Sequence, residues 1–383
     1  MSGGLRVLFT SAGSRLRRLH KALHLNLQTK KARTYEPIQL RNAKIFILDL
    51  LDNPSDHINL VRRYAASVIM TLTYGKTTPT SHTDPEIQLI NQSALQVGRS
   101  MRPGAYLVDS FPILRYIPIY LRELRAFHRR ELAFFKSQID IVHERMELGE
   151  DAQPSFAKNL IENQTMYGLS DNETAYLAGS MFGAGSDTTA SAISVVVMAL
   201  ACYPETATKA RAQIDTLVGI KRYPTFDDRD QLTEVTAFVL ETTMALSSEG
   251  VPHRASKDII WNGYVIPKGS TVIPNHWSIF RDPDIFPDPE RFDPQRWLTP
   301  DGTIGNEIKN YNFGFGRRVC PGMHVANRSL FINTALLMWA FNVFQDGIDT
   351  MGLTESPTLH PLPFEVVFEP RIEVGVLRAL MKA

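Results

Sequence analysis

The chain has 383 residues, with 41 Lys and Arg against 40 Asp and Glu and 44% hydrophobic residues. At about 150 residues per domain that allows two or three domains or one large one; the charge balance argues against a nucleic-acid coat protein, and the hydrophobic share excludes disorder as the main state. Two cysteines, Cys202 and Cys320, exclude a disulfide scaffold, and no run of about 18 uninterrupted apolar residues marks a membrane span. Residues 1–13 carry no regular pattern and read as an irregular start. The first 35 residues hold eight Lys or Arg and no acid before Glu36. This could mark a mitochondrial transit peptide. The commoner explanation is a helix from Ser14 with Leu16, Leu19, Leu23 and Leu27 on one face and its bases solvated.

Arg41 to Leu51 and Leu60 to Leu72 space apolar residues three and four apart, as helices do. Pro103, Pro112 and Pro118 punctuate a stretch of short elements, and Leu121 to Met146 reads as a long charged amphipathic helix. The most informative helix is predicted from near Asp171 to about Cys202. Ser170 and Glu173 fit a capping box at its start, and Tyr203-Pro204 ends it. It would span about 48 Å and is apolar over most of its surface, so burial at the centre is expected. Gly183-Ala184-Gly185-Ser186-Asp187-Thr188-Thr189 breaks the pattern by placing glycines, an acid and hydroxyls in the expected core. A helical glycine costs about 1 kcal/mol and a buried carboxylate more, so the stretch marks a site.

Two further helices are expected, one to Gly219 and one from Asp230 to Ala245. Tyr264-Val265-Ile266, Pro267-Lys268-Gly269 and Thr271-Val272-Ile273 read as a hairpin. Asp282 to Pro300 reads as an ordered loop, because Phe286, Phe292 and Trp297 need burial. A helix from Gly322 to Phe341 and a strand at Phe364 to Phe368 complete the chain.

Cys320 stands in Phe313-Gly314-Phe315-Gly316-Arg317-Arg318-Val319-Cys320-Pro321-Gly322. A lone cysteine is usually a small buried hydrophobe, which is how Cys202 reads. The neighbours of Cys320 favour the thiolate instead. It precedes a helix start, where free N–H groups stabilise negative charge. Arg317 and Arg318 add positive charge, and Pro321 presets the first helical turn. Such a thiolate serves as a nucleophile or as an axial metal ligand. The chain offers no second cysteine or histidine cluster for zinc, whereas haem iron needs a single protein thiolate.

On these residues the chain resembles the cytochrome P450 family. Phe313 to Gly322 matches its cysteine-loop signature, and Gly185, Asp187, Thr188 and Thr189 match the oxygen-activating stretch of its central helix. Pro289-Glu290-Arg291-Phe292 is similar to its third marker, and Pro252-His253-Arg254 to its propionate-binding strand. The match is collinear from about Ser14, and Arg281-Asp282-Pro283 with Asp288 to Pro294 looks most like fungal members. The resemblance implies a mainly α protein with minor β, one cytochrome P450-like domain over 1–383. It implies haem b with Cys320 as the axial ligand to iron. Arg318 and Arg254 would pair with the propionates, Phe313 would pack beside the thiolate, and Gly316, Gly322, Ala184 and Gly185 would line the cofactor. Asp187 and Thr188 would be the acid–alcohol pair that delivers protons; without that context Thr188 is an ordinary core threonine bonded back to its own helix.

The implied reaction inserts one oxygen atom from dioxygen into an apolar small molecule. Electrons would come from NADPH through a separate reductase, because the chain shows no flavin or nicotinamide fingerprint, and Arg317 and Arg318 would help dock that acidic partner. Substrate is expected above Ala184 and Gly185, walled by Phe182 and residues near Val251 and Thr358, with Glu249 close by. Fungal secondary metabolism and xenobiotic oxidation are the implied settings.

Three departures accompany the likeness. The chain starts where the family's haem-covering helix starts, so the family's membrane anchor and most of its larger sheet have no counterpart. An intact member would sit on the cytosolic face of the endoplasmic reticulum; this chain alone is expected to be soluble or peripheral. Leu16 stands where that helix usually carries a tryptophan, leaving Arg17, His20 or Lys21 as propionate partners. Glu241 is followed by Thr242, Thr243 and Met244 where the family has Glu-x-x-Arg, so a Glu241–Arg291 dyad is expected in place of a triad. Two other functions stay open: a haem-binding pseudoenzyme that does not turn over, and a reductase-independent haem-thiolate isomerase or dehydratase. Retention of Asp187 and Thr188 argues against the second.

Overall fold

The computed structural model describes residues 2–76, 83–102, 104–117, 119–150, 154–245, 250–305, 311–345, 347–354 and 359–383. Helices dominate. In chain order they are α1 (Ser14–Leu27), α2 (Thr29–Arg33), α3 (Glu36–Asp52), α4 (His57–Tyr74), α5 (Pro85–Met101), α6 (Arg122–Glu147), α7 (Phe156–Glu162), α8 (Gln164–Tyr167), α9 (Asp171–Cys202), α10 (Ala207–Leu217), α11 (Thr233–Ala245), α12 (His276–Ile279), α13 (Met323–Ala340) and α14 (Val374–Lys382). The strands described are β1 (His253–Arg254), β2 (Ile259–Trp261), β3 (Tyr264–Ile266), β4 (Thr271–Val272), β5 (Phe341–Phe344) and β6 (Val367–Pro370), and they pair only in twos. The chain condenses into two compact units, Met1–Asn42 with Ile58–Ala190, and Ala43–His57 with Ser191–Ala383.

In the first unit α1 buries Leu16, Leu19, Leu23 and Leu27, the stripe that helical spacing sets. Arg17 and Lys21 are exposed, whereas Arg15 and Arg18 are half-buried, so only part of the expected basic face is solvated. The opening residues, expected to be irregular, are instead tied down. Val7–Phe9 forms a 3₁₀ turn, and Arg6 is ion-paired to the buried Glu131. Glu131 also accepts from Ser93 and, at 2.8 Å, from the Tyr176 hydroxyl. One carboxylate thus gathers α5, α6 and α9 with its oxygens satisfied, as burial demands. Pro112 opens a 3₁₀ turn through Tyr116; Pro103 and Pro118 lie outside the described residues.

The start of α9 is the expected capping box. Glu173 N–H donates to Ser170 Oγ at 3.3 Å, and Ser170 N–H donates to Glu173 Oε2 at 3.1 Å. Arg15 Nε adds a bond to Glu173 Oε1 at 2.7 Å. Burial opposes the charge on Glu173, but these donors prevail and hold its carboxyl below the usual range. Among the described residues α9 is the one helix long and apolar enough to cross a membrane, and most of that apolar window is buried, as in a core helix.

Through Gly183 to Thr189, α9 runs as unbroken α-helix, so its glycines cause no distortion. They admit neighbours. A Cβ on Gly179 would strike the Phe135 ring, one on Gly183 would stand 3.1 Å from Ile90, and one on Gly185 2.6 Å from Ile69. Close helix approach explains what helix propensity penalises.

In the second unit α13 is buried along most of its length, and Trp339 Nε1 donates to the Gly219 carbonyl at 2.8 Å. Phe286, Phe292 and Trp297 are buried, as the ordered-loop reading required. The expected hairpin is corrected: β3 pairs with β2, and β4 pairs with β1. The turn of the observed hairpin is Asn262-Gly263, at φ 47° and 80°. Both central residues of a type I′ turn need positive φ, which Asn-Gly supplies most readily. Pro267 to Gly269 instead carries the chain to the next ribbon, with Gly269 N–H on the Ala255 carbonyl at 2.8 Å. The terminal strand begins at Val367, pairs with β5, and is followed by α14, which the alternating pattern did not announce.

Candidate functional site

The cysteine loop lies in the second unit and is closed by its own backbone. Cys320 N–H donates to the Phe313 carbonyl at 2.8 Å, and Gly314 N–H to the Tyr311 carbonyl at 2.9 Å. Gly314 and Gly316 adopt φ of 76° and 55°, a region that side chains other than glycine enter at a cost. Burial pushes the Cys320 thiol up, while the N–H groups of Gly322 and Met323 bond to the sulfur and act in the opposite direction. Those donors stand at the start of α13, where the helix end stabilises a thiolate. Phe313 and Arg318 are half-buried and Arg317 is exposed; burial lowers the pKa of Arg318. Arg254 sits on β1 opposite Thr271, exposed, with its guanidinium lying over Gly269. A single soft sulfur with two backbone donors and a glycine-lined approach fits axial ligation of haem iron, whose remaining donors come from the porphyrin.

The predicted residues of α1 and α9 up to Thr188 belong to the first unit. On α9, Ala184 and Thr188 are exposed while Gly185 and Asp187 are half-buried. The expectation that the whole stretch lies in the core is therefore corrected: it presents an open strip on an otherwise buried helix. Thr188 Oγ1 donates to the Ala184 carbonyl at 2.7 Å, the back-bonded geometry, but on that open strip. Phe182, expected to wall a substrate, is fully buried with its edge against Tyr74 at 6.0 Å. Two residues along a helix turn about 200°, so Phe182 points away from the Ala184 face. On α1, Leu16 is buried, Arg17 exposed and His20 half-buried. Val251 is exposed; Glu249 and Thr358 lie outside the described residues. Cys202 is half-buried, and burial raises its thiol pKa.

Glu241 lies at the heart of the second unit, 2% exposed. Its ion-pair partner is Arg296, at 3.2 Å, which corrects the expected Arg291. Arg291 is exposed. The sequence spells Pro-x-Arg-aromatic twice, at Pro289 to Phe292 and at Pro294 to Trp297, and only the second lies in a 3₁₀ turn against α11. Asp293 N–H donates to Glu241 Oε1 at 2.7 Å, and Trp297 Nε1 donates to Oε2 at 2.7 Å. The other guanidinium donors of Arg296 reach the carbonyls of Pro287 (2.6 Å), Asp288 (3.1 Å) and Arg291 (2.7 Å). Burial nevertheless raises the Glu241 pKa, against these partners. Sequence reasoning missed Arg296 and the donor role of Trp297. A buried indole N–H needs an acceptor, and that need was the available signal. Asn312, also missed, ties the loop before Cys320 to the end of α11, donating to the Thr243 carbonyl at 2.7 Å.

Comparison with known proteins agrees with this geometry. The family model described as Cytochrome P450 matches residues 3–368. Cytochrome P450 monooxygenase 64 of Postia placenta is 53% identical over 378 residues, covering 97% of this chain and 76% of that protein. A cytochrome P450 monooxygenase of Armillaria gallica is 38% identical over 393 residues, with 97% and 76% covered. Cytochrome P450 monooxygenase fogE of Aspergillus ruber is 34% identical over 371 residues, with 93% and 68% covered. The chain belongs to the cytochrome P450 family, a family of oxidoreductases that implies a haem-iron cofactor.

Proposed function

We propose that the chain is a haem-thiolate monooxygenase that oxidises an apolar small molecule, folded as one haem domain, with electrons from an NADPH-dependent reductase. The observation that carries this reading is the Cys320 sulfur bonded by the N–H groups of Gly322 and Met323 at the start of α13. Haem bound there would supply dioxygen activation. The two N–H donors hold the thiolate against the rise that burial imposes on its pKa. Arg318 and Arg254 are the cations for the propionates. On α9, Thr188 spends its own proton on the Ala184 carbonyl and so turns acceptor lone pairs outward, while the adjacent Asp187 carboxyl supplies protons. Arg317, exposed beside Arg318, is a docking charge for an acidic reductase surface. Residence on the cytosolic face of the endoplasmic reticulum and a role in fungal secondary metabolism or xenobiotic oxidation belong to the same proposal.

The test is the spectrum of the haem-loaded chain after reduction under carbon monoxide. A thiolate-type Soret band that is lost in Cys320→Ser is expected; its absence in the parent protein would sink the proposal. A haem-binding pseudoenzyme is the second reading, favoured by Met244. It predicts the same band together with no substrate-dependent NADPH consumption when the reductase is added.

A further inference from the structure

In the second unit the cysteine loop is held at its start by a side chain that stands one residue before the signature. The helix α11 ends at Ala245, and the last four carbonyls of a helix find no donor within it. Thr243 is one of those four residues. Its carbonyl accepts from Asn312 Nδ2 at 2.7 Å, across 69 residues of sequence. Asn312 is the middle residue of the 3₁₀ turn Tyr311–Phe313. The next carbonyl along the chain, that of Phe313, accepts the Cys320 N–H at 2.8 Å. Two hydrogen bonds, joined through adjacent residues, thus run from the end of α11 to the backbone of Cys320. Aromatic rings support the same turn. Tyr311 packs on the buried cluster of Ala237, Met244, Phe280, Phe286 and Trp297. Its ring stacks on Phe315 at 5.4 Å, and His276 meets Phe315 at 5.5 Å. Apolar packing is non-directional and lets rings slide; the Asn312 amide bond is directional and fixes where the turn sits.

We propose that Asn312 is a positioning residue for the Cys320 thiolate, acting through the Phe313 carbonyl and the Cys320 N–H. This role presupposes the haem-thiolate reading and adds to it the residue that holds the loop in place. With the turn fixed, the sulfur stays on the N–H groups of Gly322 and Met323. With the turn free, the Phe313 carbonyl moves, the Cys320 N–H is released and the sulfur can leave those donors. A neutral amide suits the position. A carboxylate would face the Thr243 carbonyl oxygen without a proton to offer, and an aliphatic side chain would leave that oxygen unmet. Loss of one such bond raises the share of displaced loop by about tenfold.

The test compares Asn312→Asp and Asn312→Leu with the parent as haem-loaded chains. Asp keeps the shape and loses the donor; Leu is similar in size and loses all polarity. Hydrogen exchange at the Cys320 amide should quicken about tenfold in both. Under carbon monoxide after reduction, the thiolate-type Soret band should convert to the thiol type in dilute urea faster by a similar factor. Asn312→Gln keeps the amide and should recover part of both effects; it carries the comparison with Asn312→Asp should Asn312→Leu fail to fold. Trp339→Phe is the structural control. It removes another N–H donor from a carbonyl of the same unit, that of Gly219 at 2.8 Å. It should lower Tm while leaving both loop readouts within about twofold of the parent. Unchanged exchange at Cys320 in the Asn312 variants, or equal acceleration by Trp339→Phe, overturns the proposal. A parent without the thiolate-type band sinks the haem-thiolate reading and this role with it. A parent with the band, whose Asn312 variants keep it as long, sinks this role alone.

Discussion

Replacing Arg296 by Met separates the observed ion pair from the one that the motif suggests. Both charges are buried, with side chains 7% and 2% exposed, so the pair is little screened. At an effective dielectric near 20, two unit charges about 4 Å apart attract by about 4 kcal/mol, and removing one member of a buried pair costs about 3–5 kcal/mol. Arg296→Met also strips donors from the Pro287, Asp288 and Arg291 carbonyls. We expect a loss near the upper end of that range. With about 2.1 cal/mol/K of unfolding entropy per residue over 383 residues, this is a fall in Tm of about 6 °C. Arg291→Met, at an exposed site, should stay within about 0.5 kcal/mol of the parent. The pH dependence has a definite sign. The Glu241 pKa is raised in the fold, so its penalty is present at neutral pH and fades as pH falls through the folded value. Losing Arg296 raises that pKa further, and the deficit of the variant should shrink as pH drops toward 5. Calorimetry of the two variants between pH 5 and 8 is the assay. Equal losses, or a larger loss for Arg291→Met, would refute the assignment of Arg296.

Ser170→Ala removes half of the α9 capping box and should cost about 1 kcal/mol at pH 7 by denaturant unfolding. The folded pKa of Glu173 is depressed, so its contribution is present above the unfolded value and lost as pH falls through the folded one; the difference between parent and variant should narrow there. Gly185→Ala drives a methyl to 2.6 Å from Ile69 and should destabilise by about 1–3 kcal/mol, although alanine is the better helix former; a gain in Tm would contradict the close-approach account. Thr188→Val sits on an exposed strip and should leave stability nearly unchanged. If Thr188 helps deliver protons, product formed per NADPH consumed should fall by about 10²-fold or more; unchanged yield would remove Thr188 from the mechanism.

The long helix was legible, bounds included to about a residue, because three independent local signals agreed on it: the capping box, the apolar run and Tyr203-Pro204. The cysteine loop was equally legible, since glycines, arginines and Pro321 all point one way around Cys320. What failed were inferences that depend on which partner arrives from elsewhere in the chain. Gly183 and Gly185 read only as a break in the apolar pattern because Ile90 and Ile69, which they accommodate, are remote in sequence. Phe182 was placed on the wrong side of its helix by proximity in sequence, where rotation about the axis decides. The hairpin was misjudged because Pro-Lys-Gly was weighed and Asn-Gly was not, although only the latter supplies two residues tolerant of positive φ.

Met244 raises a different question, whether losing a cation beside Glu241 leaves a buried charge stranded. The geometry says it does not. Asp293 N–H, Trp297 Nε1 and Arg296 together satisfy both oxygens. Met244 is itself buried in a cluster with Ala237, Phe280, Phe286 and Trp297. Exchanging an ion for a packed apolar side chain is often near neutral, whereas orphaning its partner is costly. The residue therefore falls in the first class, and the raised pKa of Glu241 reflects burial that outweighs well-placed donors, not a missing partner.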